Sequence, residues 1–259
     1  MSEALIGYTG FVGGNLAQQH TFDALFNSSN IEEIAGRAFD LIVCAATPTE
    51  KWKANEFPDR DLESVERLTQ SLMRAETQRL VLISTVEVFI HPVGVDEESP
   101  TPTDGLHAYG RHRLQLEELA AERFDTLIVR LPVLYGSGLK KNAVFDFLNN
   151  NDIHKIDSRG VFQFYCVDRL WGDIGRAMAN DLPVVHLVTE PVSVSDVARE
   201  AFDIEFTNEV DETPDQYDVH TKYAELFGGK PPYIETRTSV LAGLGAFVAR
   251  ERARRRGRH

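Results

Sequence analysis

The sequence predicts an α/β protein: a doubly wound parallel sheet with helices on both faces, followed by a small C-terminal lobe. Three observations predict it. Short β-branched apolar runs alternate with longer amphipathic ones over the first two-thirds of the chain. A glycine triplet joins the first apolar run to the first amphipathic one. The 259 residues, 42% hydrophobic and 26% charged, have the length and composition to bury the core of one large domain.

The buried strands read in order as Ala4 to Ile6, Asp40 to Ala46, Arg79 to Ser84 and Asp125 to Leu131, each short and apolar almost throughout. A short strand fits between Phe22 and Phe26. From Asp61 to Glu76, Leu62, Val65, Leu68, Leu72 and Met73 recur three and four apart and form one helical stripe. Tyr109 to Phe124 repeats the pattern with Leu114, Leu116, Leu119 and Ala120. Later come a helix over Asp168 to Asn180, a strand over Val184 to Val188 and a helix over Ser193 to Phe202, with Ser193 as its N-cap. Phe162 to Tyr165 reads as a strand that packs the small lobe.

Strand one runs directly into Gly7-Tyr8-Thr9-Gly10-Phe11-Val12-Gly13. The first glycine permits a tight turn, the second lets backbone N–H groups approach a pyrophosphate, and the third lets helix and strand pack closely. The helix N-terminus adds its partial positive charge. Dinucleotide binding on a Rossmann-like fold is the expectation. About twenty residues on, where an acid would hold the ribose 2′-hydroxyl of NAD, stand Asn27 and Ser28. No arginine is there for the 2′-phosphate of NADP, so NAD or NADP stays open.

Charge is uneven. The chain carries 27 bases and 40 acids, a net −13, yet its last ten residues hold six arginines and one glutamate. The rest is therefore −18 and repels nucleic acid, so no nucleic-acid binding by the folded body is expected. Residues 250–259 read as a basic disordered tail; a weaker reading folds it back on the acidic 190–218 segment. The longest apolar runs, Leu41 to Ala46 and Val240 to Ala249, fall short of the roughly 18 to 20 residues of a membrane span. A Met-Ser-Glu-Ala start without basic residues implies no signal peptide, and two cysteines imply no disulfide framework; a cytoplasmic location is expected. The histidines show no ligand spacing, and no metal is expected.

The fourth strand ends Ser84-Thr85-Val86-Glu87, and Tyr109 and Arg113 follow at helical i, i+4 spacing. Together with the GxxGxxG loop, Cys44-Ala45-Ala46, Asp96-Glu97-Glu98, Pro100, Val129-Arg130-Leu131-Pro132, Tyr135-Gly136 and Val167-Asp168, these motifs resemble the extended short-chain dehydrogenase/reductases, the NAD-dependent epimerase/dehydratase family. The resemblance runs in order from Leu5 to about Phe202. It implies an NAD(P)-dependent oxidoreductase or epimerase. Thr85 would orient the substrate oxygen and Tyr109 would exchange the proton. It also implies cofactor contacts from Gly7, Thr9, Gly10, Phe11, Val12, Gly13, Asn27, Ser28, Ala45, Ala46, Ser84, Tyr109, Arg113 and Pro132.

Two departures stand out. The family places a lysine four residues after the tyrosine, where it lowers the tyrosine pKa and binds the nicotinamide ribose; here the residue is Arg113. Arginine keeps the charge but not the compact ammonium. The 4,6-dehydratases of the family carry Thr-Asp-Glu at the strand end, whereas here Val86 replaces the proton-donating Asp, which disfavours dehydration by that route.

Substrate contacts are assigned to Lys51, Glu87, Lys140, Lys141, Asn142 and Gln163, the lysines being suited to the diphosphate of a nucleotide-sugar. The domains expected are 1–189 for the NAD(P)-binding part, with loops in 136–166 contributing to the lobe, and 190–249 for the small substrate lobe. A lobe this short leaves the pocket open or completed by a second chain, as in a homodimer. Two functions remain: an epimerase or reductase of a sugar or nucleotide-sugar hydroxyl or carbonyl, and a cofactor-binding sensor or scaffold with weakened chemistry.

Overall fold

The computed structural model describes residues 2–257. In chain order the elements are β1 (Glu3–Ile6), α1 (Phe11–Gln19), β2 (Ala24–Phe26), β3 (Ala38–Cys44), α2 (Lys51–Glu56), α3 (Pro58–Leu72), β4 (Glu76–Thr85), α4 (Ala108–Arg123), β5 (Thr126–Leu131), β6 (Val133–Tyr135), α5 (Ala143–Asn149), β7 (Val161–Phe162), β8 (Phe164–Cys166), α6 (Leu170–Ala179), β9 (Val184–His186), β10 (Val192–Ser193), α7 (Val194–Phe202) and α8 (Arg237–Arg256).

The chain divides into two units. The first comprises Met1–His91, Glu97–Leu131 and Asp168–His186; the second comprises Pro92–Asp96, Pro132–Val167 and Leu187–His259. The first unit holds a six-stranded, all-parallel sheet in the order β2-β1-β3-β4-β5-β9. The order reverses at β1, so the carboxyl ends of β1 and β3 open a crevice where ligands of such sheets bind. Successive residues of its central strands are buried on both faces, as a sheet covered by helices on each side requires. On one face Ile6, Phe26, Ile42 and Leu80 join Val65, Leu68 and Leu72 of α3 and Leu116 and Ala120 of α4 in one apolar cluster.

Helix α3 begins at Pro58 rather than at the expected Asp61, because proline is preorganised for the first helical position. It ends at Leu72, and Glu76 already starts β4, paired with Ala38. Ser193 caps α7 as expected, its hydroxyl accepting from the Asp196 N–H.

In the second unit, the single strand expected over Phe162 to Tyr165 is two. β7 pairs antiparallel with β10 and β8 pairs parallel with β6, and Gln163 lies between them. Helix α8 packs on α7 through a cluster that includes Val194, Val197, Phe202, Val240, Leu244, Phe247 and Val248.

The disordered tail expected at 250–259 is corrected by the structure: residues Arg250 to Arg256 continue α8. Thr236 caps the start of that helix, the apolar stripe anchors its middle, and arginine is a good helix former that suits the negative end of the dipole. Arg252 stacks on Phe202, and Arg255 donates to the Leu148 carbonyl at 2.6 Å. Arg258 and His259 lie outside the described residues. Among the described residues, no helix is long and apolar enough to cross a membrane.

Candidate active site

The glycine loop owes its sequence to the crowding of backbones at the sheet edge. Gly7 sits at φ +92°, and a Cβ there would lie 2.4 Å from the Ala45 carbonyl oxygen. A Cβ on Gly13 would lie 2.1 Å from the Gly7 oxygen. Both glycines are therefore demanded by the chain itself, Gly7 by the backbone of Ala45 and Ala46 just after β3.

Gly10 is different. Its φ is ordinary, it is exposed, and a Cβ would meet nothing closer than the Gly7 oxygen at 3.3 Å. It is also the N-cap of α1 without any side-chain cap, so the first N–H groups of Phe11, Val12 and Gly13 have no cap from their own chain. A bare position at an uncapped helix start fits a pyrophosphate group. We expect Gly10→Ala to keep the fold, costing about 1 kcal/mol or less at an N-cap, while weakening NAD binding at least ~10-fold. Gly13→Ala should lose stability as well as binding, because backbone must move. Calorimetric titration and thermal unfolding separate the two outcomes.

At the end of β2, Asn27 is occupied by its own loop. Its Nδ2 donates to the Tyr8 hydroxyl at 3.2 Å, and its Oδ1 accepts from the Ser29 N–H at 2.8 Å and the Ser29 hydroxyl at 2.6 Å. Ser28 and Thr9 are exposed at the same edge. Cys44 beside them is inert: burial pushes its thiol up to about 11, against a smaller opposing effect of the Ala46 backbone.

A second group of residues gathers where β4 ends against α2, α3 and α4. His107 caps α4, its Nδ1 accepting from the Gly110 N–H at 3.0 Å. That leaves Nε2 as the donor to Glu87 at 3.2 Å. Lys51 pairs with the same Glu87 at 2.7 Å, so two of the expected substrate residues meet. The Tyr109 N–H donates to Asn55 Oδ1 at 3.0 Å, which ties α2 to α4.

The Tyr109 ring is buried, and the Thr85 hydroxyl is among the groups that act on its phenol. The guanidinium carbon of Arg113 lies 3.9 Å from the ring centre. Burial raises the tyrosine pKa above its ordinary value; Arg113 and Thr85 pull it down, Glu87 and Asp61 push it further up, and the net is upward. The tyrosine pKa lowering implied for residue 113 is thus outweighed by desolvation.

Arg113 itself is committed inward. It is 2% exposed and donates to both carboxylate oxygens of Asp61, one of them at 2.9 Å, to the Pro48 carbonyl at 2.6 Å and to the Tyr109 carbonyl at 3.1 Å. The donors expected to reach the cofactor from Arg113 are engaged inside the protein. Asp61 also meets His112 Nδ1 at 2.8 Å. Burial raises the Asp61 carboxyl, but the hydrogen bonds and charges of Arg113 and His112 outweigh it and hold the group below its ordinary range.

Ser84, expected beside the cofactor, turns its hydroxyl to buried Glu117, which Arg130 grips at 2.6 Å. Asn142, expected at the substrate, is a structural cap: its Oδ1 accepts from the Phe145 N–H and its Nδ2 donates to the Leu134 carbonyl at 2.8 Å. Gln163 is 1% exposed and bridges Thr189 and Val219, donating to both carbonyls and accepting from the Val219 N–H at 2.9 Å. Lys140 and Lys141 are exposed, and they and Pro132 belong to the second unit. Asp61, Asn55 and His107 were not legible as site residues. Asp61 in particular reads as one of the acids common in the first turn of a helix. Among the described residues, no group of three or more His, Cys, Asp or Glu is arranged to hold a metal.

The profile of the NAD dependent epimerase/dehydratase family matches residues 10–156. No curated protein matches the sequence significantly. Among solved structures, MoeE5 in complex with UDP-glucuronic acid and NAD is similar at 16% identity, covering 98% of this chain and 99% of the other, with a TM-score of 0.73. The dTDP-4-dehydrorhamnose reductase of Bacillus anthracis in complex with NADP is 20% identical over 96% of this chain and 99% of its own, TM-score 0.73. UDP-glucose 4-epimerase of Thermotoga maritima with UDP-glucose is 17% identical over 98% and 99%, TM-score 0.71. At these identities the likeness is one of fold.

Proposed function

Since this chain belongs to the NAD dependent epimerase/dehydratase family, we propose that it is an NAD(P)-dependent epimerase or reductase. It acts on a hydroxyl or carbonyl of a nucleotide-sugar, with Tyr109 as acid/base. The observation that carries this reading is the setting of Tyr109: a buried phenol with the Arg113 guanidinium 3.9 Å from its ring centre, and the strand-end Thr85 hydroxyl among the groups that act on it. Similar folds bound to UDP-sugars, NAD and NADP support the substrate and cofactor classes.

The cofactor, when bound, supplies the hydride acceptor or donor. Backbone N–H groups of Phe11 to Gly13 would hold its pyrophosphate, with bare Gly10 allowing close approach. Thr85 would orient the substrate oxygen, and Tyr109 would take or return its proton while the Arg113 charge limits the cost of the phenolate. Val86 is buried at 3% and offers no proton, so the reading leaves out dehydration through that position.

The inward commitment of Arg113 favours a second reading, a cofactor-binding module with little turnover. Incubating the purified protein with a panel of UDP- and dTDP-sugars and both cofactors discriminates them. Conversion of at least one sugar supports the first reading; tight NAD or NADP binding with no conversion across the panel supports the second.

A further inference from the structure

The Arg113 guanidinium reaches the Tyr109 side chain through the face of its ring, and what directs it there comes from another helix. Asp61 of α3 takes both terminal nitrogens in a bidentate pair, the Pro48 and Tyr109 carbonyls each take a further N–H, and Nε is buried with no partner. Four of the five donors are thus held by the protein and the fifth has no access to solvent. A lysine could not occupy this position in the same way, because it can neither fork across a carboxylate nor stack flat on a ring.

We propose that Asp61 is a positioning residue for the reaction: its bidentate hold on Arg113 presses the guanidinium against Tyr109. The inference rests on the proposed role of Tyr109. It assigns the arginine to the tyrosine alone, so the substitution at 113 and the acid at 61 are two halves of one device. His112 completes the carboxylate's partners from the same turn of α4 as Arg113. The other charged groups facing Tyr109 are Glu87, after β4, with its partners Lys51 of α2 and His107 of α4. None of these three contacts Arg113 among the described hydrogen bonds, so Asp61 is the acid that decides where the guanidinium rests.

The test uses the full chain carrying 15N-labelled arginine. A guanidinium 3.9 Å from a ring centre has its Nε–H resonance moved upfield by the ring current, and burial protects it from exchange. Its disappearance in Arg113→Lys assigns it. Asp61→Asn is expected to return that resonance to the range of solvent-exposed arginines. NAD affinity should stay unchanged, kcat should fall about 10-fold with KM unaltered, and the pH limb belonging to Tyr109 should move upward.

An unchanged Arg113 resonance, or a pH limb that moves downward, overturns the proposal, since either means the cation keeps its place without Asp61. Should Asp61→Asn not fold, Asp61→Glu keeps the charge but displaces the carboxylate, and the resonance must still move downfield. If no nucleotide-sugar is turned over, the proposed reaction fails while the resonance still decides the role of Asp61.

Discussion

Replacing Tyr109 by phenylalanine is expected to lower turnover by about 100- to 10,000-fold, the range over which a positioned acid/base contributes. The ring that Arg113 stacks on survives the change, as does the Tyr109 N–H bond to Asn55, so the site keeps its shape. NAD affinity and the unfolding temperature should therefore stay close to those of the parent protein. Steady-state kinetics on whichever nucleotide-sugar is converted, together with NAD titration, check this. Turnover equal to that of the parent would take the proton-transfer role away from Tyr109.

Glu117→Ala is expected to cost about 3–5 kcal/mol of stability, the usual penalty for stranding one member of a buried ion pair. Glu117 and Arg130 are 2% and 7% exposed and joined by three nitrogen-to-oxygen contacts of 2.6 to 3.2 Å, while Ser84 donates to the same carboxylate. Removing the acid leaves the arginine with His186 Nε2 at 3.4 Å, which cannot neutralise it. For a chain of this size the loss corresponds to a fall of roughly 10 °C in unfolding temperature. The exposed Lys53–Glu50 pair is the comparison: breaking it should cost under about 1 kcal/mol. Denaturant unfolding of both variants measures the difference, and equal losses would mean that water reaches Arg130.

The elements most legible in the sequence are those whose signals are local. The run Ala4 to Ile6, the glycine spacing and the stripe from Val65 to Leu72 each encode a strand, a turn or a helix face within a few residues. The structure places β1, α1 and α3 on them with boundaries shifted by at most four residues. The tail misled because its composition is that of a solvated terminus, while the apolar residues that hold it helical, Val240 to Val248, lie before it. Asn142 and Gln163 show a related limit of sequence: an amide reads equally well as a ligand contact or a backbone bridge, and only the structure shows that both have backbone partners.

By itself the sequence determined the order of strands and helices and the phosphate-shaped loop, since hydrophobic period and glycine conformation act over short distances; the roles of Thr85 and Tyr109 came from the family resemblance. The tertiary structure alone decided what Arg113 does. Its carboxylate partner stands 52 residues earlier, on a helix that meets α4 only because both cover the same face of the sheet. Once those helices pack, a buried guanidinium must find acceptors where it lies, and it finds them in Asp61 and Pro48.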